Sequence, residues 1–127
     1  MNKTLTFDFC KMSIYDNYVV VVINEGVNLT PNHNSVLVEV TENHFSEKPF
    51  VYITHRINSY SVDPKVFEET SKIKNLVAFA VVSQSDVRIA NASFEKQFLS
   101  KPHKSFTKLI DAIAWCEQLV EVSKNKF

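Results

Sequence analysis

Three short apolar runs, Tyr18 to Ile23, Pro49 to Thr54 and Leu76 to Val82, constrain this chain most. Each is rich in Val, Ile, Phe and Tyr, each is too short to be a helix of ordinary length, and each is followed by a turn and a helix-like pattern. Strands that alternate with amphipathic helices build a largely parallel sheet. Near-continuous apolar character suits strands covered on both faces. The reading is an α/β domain in the order ββαβαβαβα, with a mixed, mostly parallel sheet of about five strands and about four helices.

Turn and cap signals divide the chain. Leu5, Phe7 and Phe9 alternate with polar residues as a first strand, and Tyr15-Asp16-Asn17 turns it into Tyr18–Ile23 as a hairpin. Asn24-Glu25-Gly26, with the one glycine of the chain, ends that strand. Thr30-Pro31 and Asp63-Pro64 each join an N-cap residue to a proline suited to the first helical position. The first helix, to about Phe45, places His33, Val36, Leu37, Val40 and His44 on one side. Val38 then faces away, toward some other contact. The second has Val66, Phe67, Thr70 and Ile73 as its core side. A third opens at Ser85-Asp86 and carries Val87, Ala90, Asn91, Phe94 and Phe98. Pro102 to Phe106 is a short edge strand. The last helix, about Thr107 to Ser123, has Leu109, Ile113, Cys116 and Val120 as its stripe, flanked by Trp115, Leu119 and Val122.

Composition excludes several classes. The 127 residues make one domain, 1–127, and 45% apolar content supports a core. With 14 basic and 14 acidic side chains no net field attracts a polyanion, so nucleic acid is not an expected partner. No apolar run approaches the roughly 18 residues of a membrane span. With no leader-like N-terminus the expectation is a cytoplasmic protein, with Cys10 and Cys116 as buried reduced thiols. A single glycine builds neither a dinucleotide fingerprint nor a phosphate loop. His33 and His44 are about 16 Å apart along one helix, too far to share a metal. No cofactor and no metal are expected.

One segment concentrates chemistry: His55-Arg56-Ile57-Asn58-Ser59-Tyr60-Ser61-Val62-Asp63-Pro64. It leaves the carboxyl end of a buried strand and enters a helix N-terminus, the usual place for sites in open α/β sheets. His55, Arg56, Asn58, Ser59, Tyr60 and Ser61 are the binding candidates, with Arg56 suited to a phosphate or carboxylate. The simpler alternative is a hydrogen-bonded connection in which Asp63 caps its helix. Ser83 and Ser85, after the next strand, would adjoin this loop if the two strands pair, and otherwise serve as caps. No glycine elbow accompanies His55 and the serines, so no catalytic residue is assigned.

The strand Leu76 to Ser83, the segment Phe94-Glu95-Lys96-Gln97-Phe98 and the closing Phe106-x-x-Leu109-x-x-Ala112-Ile113-x-Trp115, taken with the element order, resemble the SpoIIAA-like branch of the STAS superfamily. The resemblance implies a regulatory or binding domain without a catalytic centre. Some STAS proteins are anti-sigma-factor antagonists switched by phosphorylation of a serine within Asp-x-Ser-Gly. The corresponding stretch here, Asn58 to Pro64, has no glycine, and Ser59 and Ser61 are the nearest candidates for phosphorylation. A phosphate there would add about two negative charges near Arg56. The superfamily's similarity to CRAL-TRIO-type domains implies an apolar ligand beneath the helices as an alternative. The resulting expectation is a non-enzymatic protein-interaction module, with a carrier or sensor of a small apolar or lipid-like ligand as the alternative. A homodimer through Trp115, Leu119 and Val122 is a further expectation, unless the chain's own first hairpin covers that flank.

Overall fold

A computed structural model describes residues 3–84 and 101–125. In chain order the elements are β1 (Lys3–Thr6), β2 (Cys10–Ile14), β3 (Tyr18–Ile23), β4 (Asn28–Leu29), α1 (Pro31–Phe45), β5 (Phe50–His55), β6 (Ser61–Val62), α2 (Pro64–Ser71), β7 (Leu76–Val82), β8 (His103–Phe106) and α3 (Leu109–Asn125). The helix expected from Ser85, with its Phe94 and Phe98, lies outside the described residues.

The main sheet has six strands in the order β1-β2-β3-β5-β7-β8. β1, β2 and β3 pair antiparallel. β3, β5, β7 and β8 pair parallel. The expected hairpin is therefore a three-stranded meander. Phe7 and Phe9 sit at its first turn, where the Phe7 N–H donates to the Cys10 carbonyl at 2.8 Å. The alternation runs on through that turn because the Phe9 ring folds back onto His33 of α1, at 4.5 Å between centroids. Cys10, Met12 and Ile14 then alternate inward along β2.

Both sheet faces are covered. Leu37 and Phe45 of α1 and Val66 of α2 join Met12, Val19, Val21, Tyr52 and Phe79 in one buried layer. Ala112, Cys116 and Val120 of α3 pack on Val51, Ile53, Ala78, Ala80 and Val82 in the other. A bulge lets β7 serve both layers. Phe50 pairs with Leu76 but Val51 pairs with Ala78, so Val77 is the extra residue and the alternation of faces resets after it. Large side chains (Leu76, Phe79, Val81) then meet α1 and α2, while Ala78 and Ala80 leave room for close approach of α3.

Both proline-led helix starts are as expected. The Thr30 side chain accepts from the His33 N–H, and the Thr30 N–H donates back to His33 Nδ1 at 3.1 Å, a reciprocal cap with histidine in the acidic residue's usual place. Asp63 accepts from the Lys65 N–H at 3.0 Å. The α1 stripe differs from expectation: Asn34, Leu37, Thr41 and Phe45 are buried, while His33, Val36, Val40 and His44 are half-buried flanks. Val38 packs against the core instead of facing away from it. The stripe was misplaced because two of its four buried members are polar. On α3 the line of contact runs through Ala112, Cys116 and Val120. Trp115 and Leu119 are packed against the same layer, leaving Val122 exposed.

Candidate functional site

The carboxyl ends of β3, β5 and β7 converge under the β5–α2 connection. A second sheet forms there, in which β4 and β6 pair parallel, Asn28 with Ser61 and Leu29 with Val62. Further backbone bonds lace the two connections together: Gly26 N–H to the Ser59 carbonyl at 2.7 Å, Ser61 N–H to Val27 at 3.0 Å and Asp63 N–H to Leu29 at 2.9 Å. Gly26 stands at φ +77°, a left-handed conformation that costs glycine nothing. Asn58 Nδ2 donates to the Ile23 carbonyl at 3.0 Å, and the Ser59 N–H donates to Glu25 Oε1 at 3.1 Å. The segment read as a polar loop is thus fixed in shape along most of its length.

Beneath it lies a small polar centre. Arg56 is only 5% exposed. Its Nε donates to the Tyr60 hydroxyl at 3.0 Å, and its guanidinium carbon lies 4.7 Å from the centroid of the Tyr60 ring. The same hydroxyl is 3.1 Å from Thr54 Oγ1. A cavity of about 20 Å³ adjoins these groups and reaches Asn34 of α1 and Thr70 of α2. Thr70 Oγ1 donates to Asn34 Oδ1 at 3.3 Å. Asn34 Nδ2 is buried and has no hydrogen-bond partner among the described residues. Tyr52 also lines the cavity, and burial holds its phenol well above the ordinary range.

The structure sorts the expected site residues into two groups. Arg56 and Tyr60 face inward on the cavity. Ser59 and Ser61 are exposed and face the β3–β4 turn, where Ser61 Oγ donates to Asn28 Oδ1 at 2.9 Å. The neighbour of Ser59 is therefore the Glu25 carboxylate, with Arg56 engaged below. His55 ends β5 half-buried, and burial lowers its pKa. Strands β5 and β7 do pair, and the Arg56 N–H donates to the Val82 carbonyl at 2.8 Å, so Ser83 adjoins the loop. Ser83 is buried, with its N–H donating to the Phe106 carbonyl at 2.9 Å. Ser85 lies outside the described residues. Asn34, Thr54, Thr70 and Ile57 are not among the expected binding residues, although the sequence places Thr70 on the core side of its helix and Ile57 within the loop segment. The first three are polar residues on faces otherwise apolar, which is the signal they carried. Ile57 is an apolar residue at the loop crest, 55% exposed.

At the amino ends of β5 and β7 a broad surface groove of about 1150 Å³ passes Pro49, Ile73 and Val77, with Lys48, Lys72 and Lys74 along it. No cluster of three or more metal-ligating side chains occurs among the described residues. No described helix is long and apolar enough to cross a membrane. Burial pushes both the Cys10 and the Cys116 thiol up to about 12.

No protein-family model and no curated protein sequence matches the chain. Among solved structures it is similar to an uncharacterized protein of the DUF3478 family from Shewanella loihica, described as having a SpoIIAA-like fold. The two share 13% sequence identity at a TM-score of 0.54, over 91% of this chain and 92% of the other. At that identity the likeness bears on architecture alone, and it agrees with the order and layering of the elements described above: the fold of this chain is SpoIIAA-like.

Proposed function

We propose that this protein is a non-enzymatic regulatory domain that docks a protein partner through the crest of the loop over residues 56–63. The observation that carries the reading is Ile57, 55% exposed on a segment anchored on both sides by hydrogen bonds to the sheet and to the β3–β4 turn. An apolar side chain held out on a preorganised loop gives up area to water when free and loses little conformational entropy when bound. The exposed hydroxyls of Ser59 and Ser61 border it. A phosphate on Ser59 would add about two negative charges beside Glu25 and so oppose the Ser59–Glu25 bond, which gives a means of releasing the crest from the turn.

The test uses a partner identified by affinity capture and then purified. Its affinity is compared for the parent, Ile57→Asp and Ser59→Asp. A loss of about tenfold or more in either variant, with unchanged melting temperature, supports the reading; for one buried isoleucine that is the order expected. Binding within twofold of the parent in both variants overturns it.

A second reading, a carrier of a small apolar or lipid-like ligand, draws on the groove at the other end. The Lys48, Lys72, Lys74 and Lys124 ammonium groups, which outnumber the Glu42 and Glu47 carboxylates on the same lining, could hold an acyl carboxylate whose chain lies along Pro49, Ile73 and Val77. A rise in melting temperature with acyl anions, lost in a Lys72→Glu, Lys74→Glu variant, would support it.

A further inference from the structure

The cavity behind the docking loop has an unanswered donor. Asn34 is 2% exposed, and its Oδ1 accepts from Thr70, yet its Nδ2 is buried without a partner among the described residues. Buried polar groups are nearly always satisfied, by protein or by ordered water. A water needs about 10–15 Å³ of space and two to four polar partners. The cavity that Asn34 lines is about 20 Å³, enough for about one water and too small for a phosphate or an acyl chain. Its remaining polar lining comprises Thr54, Arg56, Tyr60, Thr70 and Tyr52, from β5, the docking loop and α2.

We infer that this cavity is a site for a single structural water that joins α1 to the hydrogen-bond network under the docking loop. The direction of the network fits. Tyr60 Oη already accepts from Arg56 Nε, so its own hydrogen is available to Thr54 Oγ1, 3.1 Å away. The Thr54 hydrogen is then released to donate into the cavity, as is Asn34 Nδ2. The water accepts from these two. It donates to Thr70 Oγ1, which uses its hydrogen on Asn34 Oδ1 and keeps its lone pairs. Every hydroxyl in the chain Arg56–Tyr60–Thr54 gains a consistent direction. Asn34, on a different helix, becomes a positioning residue for the loop. The inference stands apart from the docking reading: the water can be present in a protein that binds nothing at its crest.

A crystal structure of the parent protein at about 1.8 Å or better tests it directly. One density peak within about 2.7–3.2 Å of Asn34 Nδ2 and of a second cavity hydroxyl is expected. No peak, or a cavity collapsed onto Asn34, overturns the inference, and so does density for a larger anion. The link to the loop is read separately by backbone amide spectra of Asn34→Leu, an isosteric change that removes the donor. Shifts at Arg56 and Tyr60 are expected, with partial recovery in Asn34→Ser, which restores a donor. Unmoved Arg56 and Tyr60 signals overturn the link. Should the leucine variant not fold, the serine variant and the parent crystal still decide.

Discussion

Removing the single oxygen of Tyr60 isolates the polar centre from the packing around it. Tyr60→Phe keeps the ring, and with it the contact to the Arg56 guanidinium at 4.7 Å. It deletes the acceptor that Arg56 Nε uses at 3.0 Å and the hydroxyl partner of Thr54 at 3.1 Å. A hydrogen bond to a charged group contributes about 1.5–3 kcal/mol and a neutral one about 1 kcal/mol. Tyr60 is half-buried, so water recovers part of both, and about 2 kcal/mol is the expected loss. For a chain of 127 residues, with an unfolding entropy of about 2.1 cal/mol/K per residue, that lowers the melting temperature by roughly 7 °C. Urea unfolding of the parent and the variant at the same pH is the assay. The slope of free energy against urea should not change, because no surface is exposed by the substitution; only the midpoint should fall. A midpoint difference equivalent to less than about 0.5 kcal/mol would refute the reasoning, since it would mean that the Arg56–Tyr60–Thr54 arrangement does not hold the loop.

Three further outcomes follow from the same structure. Ala80→Leu places extra carbons at a fully buried position facing α3 and should destabilise by about 1–3 kcal/mol in thermal unfolding, with a near-neutral result refuting close packing of that layer. Cys10 and Cys116 are buried with thiols raised to about 12, so at pH 8 an alkylating reagent should label neither in the native protein and both in denaturant; rapid native labelling would contradict their placement. Burial lowers the His55 pKa in the folded state, so the unfolded chain takes up its proton first as pH falls. Stability should therefore be fully present above about pH 7 and decline as pH drops through the ordinary histidine value near 6.5, levelling off once the folded form also protonates. His55→Gln should flatten that part of the profile, and an identical slope in parent and variant would refute it.

What the amino-acid sequence disclosed depended on how each feature is encoded. Thr30-Pro31 and Asp63-Pro64 are local signals, read within one helical turn, and both cap where expected. The runs 18–23 and 76–82 are long enough to stand out from any neighbour, and both are strands. β2 is different. Its inward residues Cys10, Met12 and Ile14 do alternate, but the turn before it, Phe7 to Cys10, contains no glycine, proline or asparagine to mark it. α1 hides its face because Asn34 and Thr41 occupy core positions, and a hydropathy pattern discards them. Asn34 has a tertiary rationale, its bond with Thr70 of α2, whereas Thr41 satisfies its hydroxyl within its own helix, on the Val38 carbonyl. The bulge at Val77 is invisible in a run that is apolar at every position. The pair β4–β6 is two residues long on each side and is defined by long-range backbone bonds. The sequence therefore marks the loop out as one segment, while the division of its residues into an inner pair, Arg56 and Tyr60, and an outer pair, Ser59 and Ser61, required the fold.

The winding of the sheet explains why the described residues at this end of the molecule form a surface and not a cleft. Ligands in open α/β sheets collect in the crevice where successive crossovers leave a strand in opposite directions. Here the parallel strands proceed one way, β3 to β5 to β7 to β8. The first two crossovers carry α1 and α2 over the same face, as same-handed connections moving in one direction must. No reversal opens the sheet among these strands. The carboxyl ends of β3, β7 and β8 are instead closed by short ties: Asn58 to Ile23, Arg56 to Val82 and Ser83 to Phe106. Among the described residues a cavity of about 20 Å³ remains beneath the loop, and outside it stands a fixed crest with Ile57 at its top. On the docking reading proposed above, a domain wound in this manner would recognise by the shape it presents. A regulator of that docking would act on the ties that hold the crest, Glu25 to Ser59 above and Arg56 to Tyr60 below.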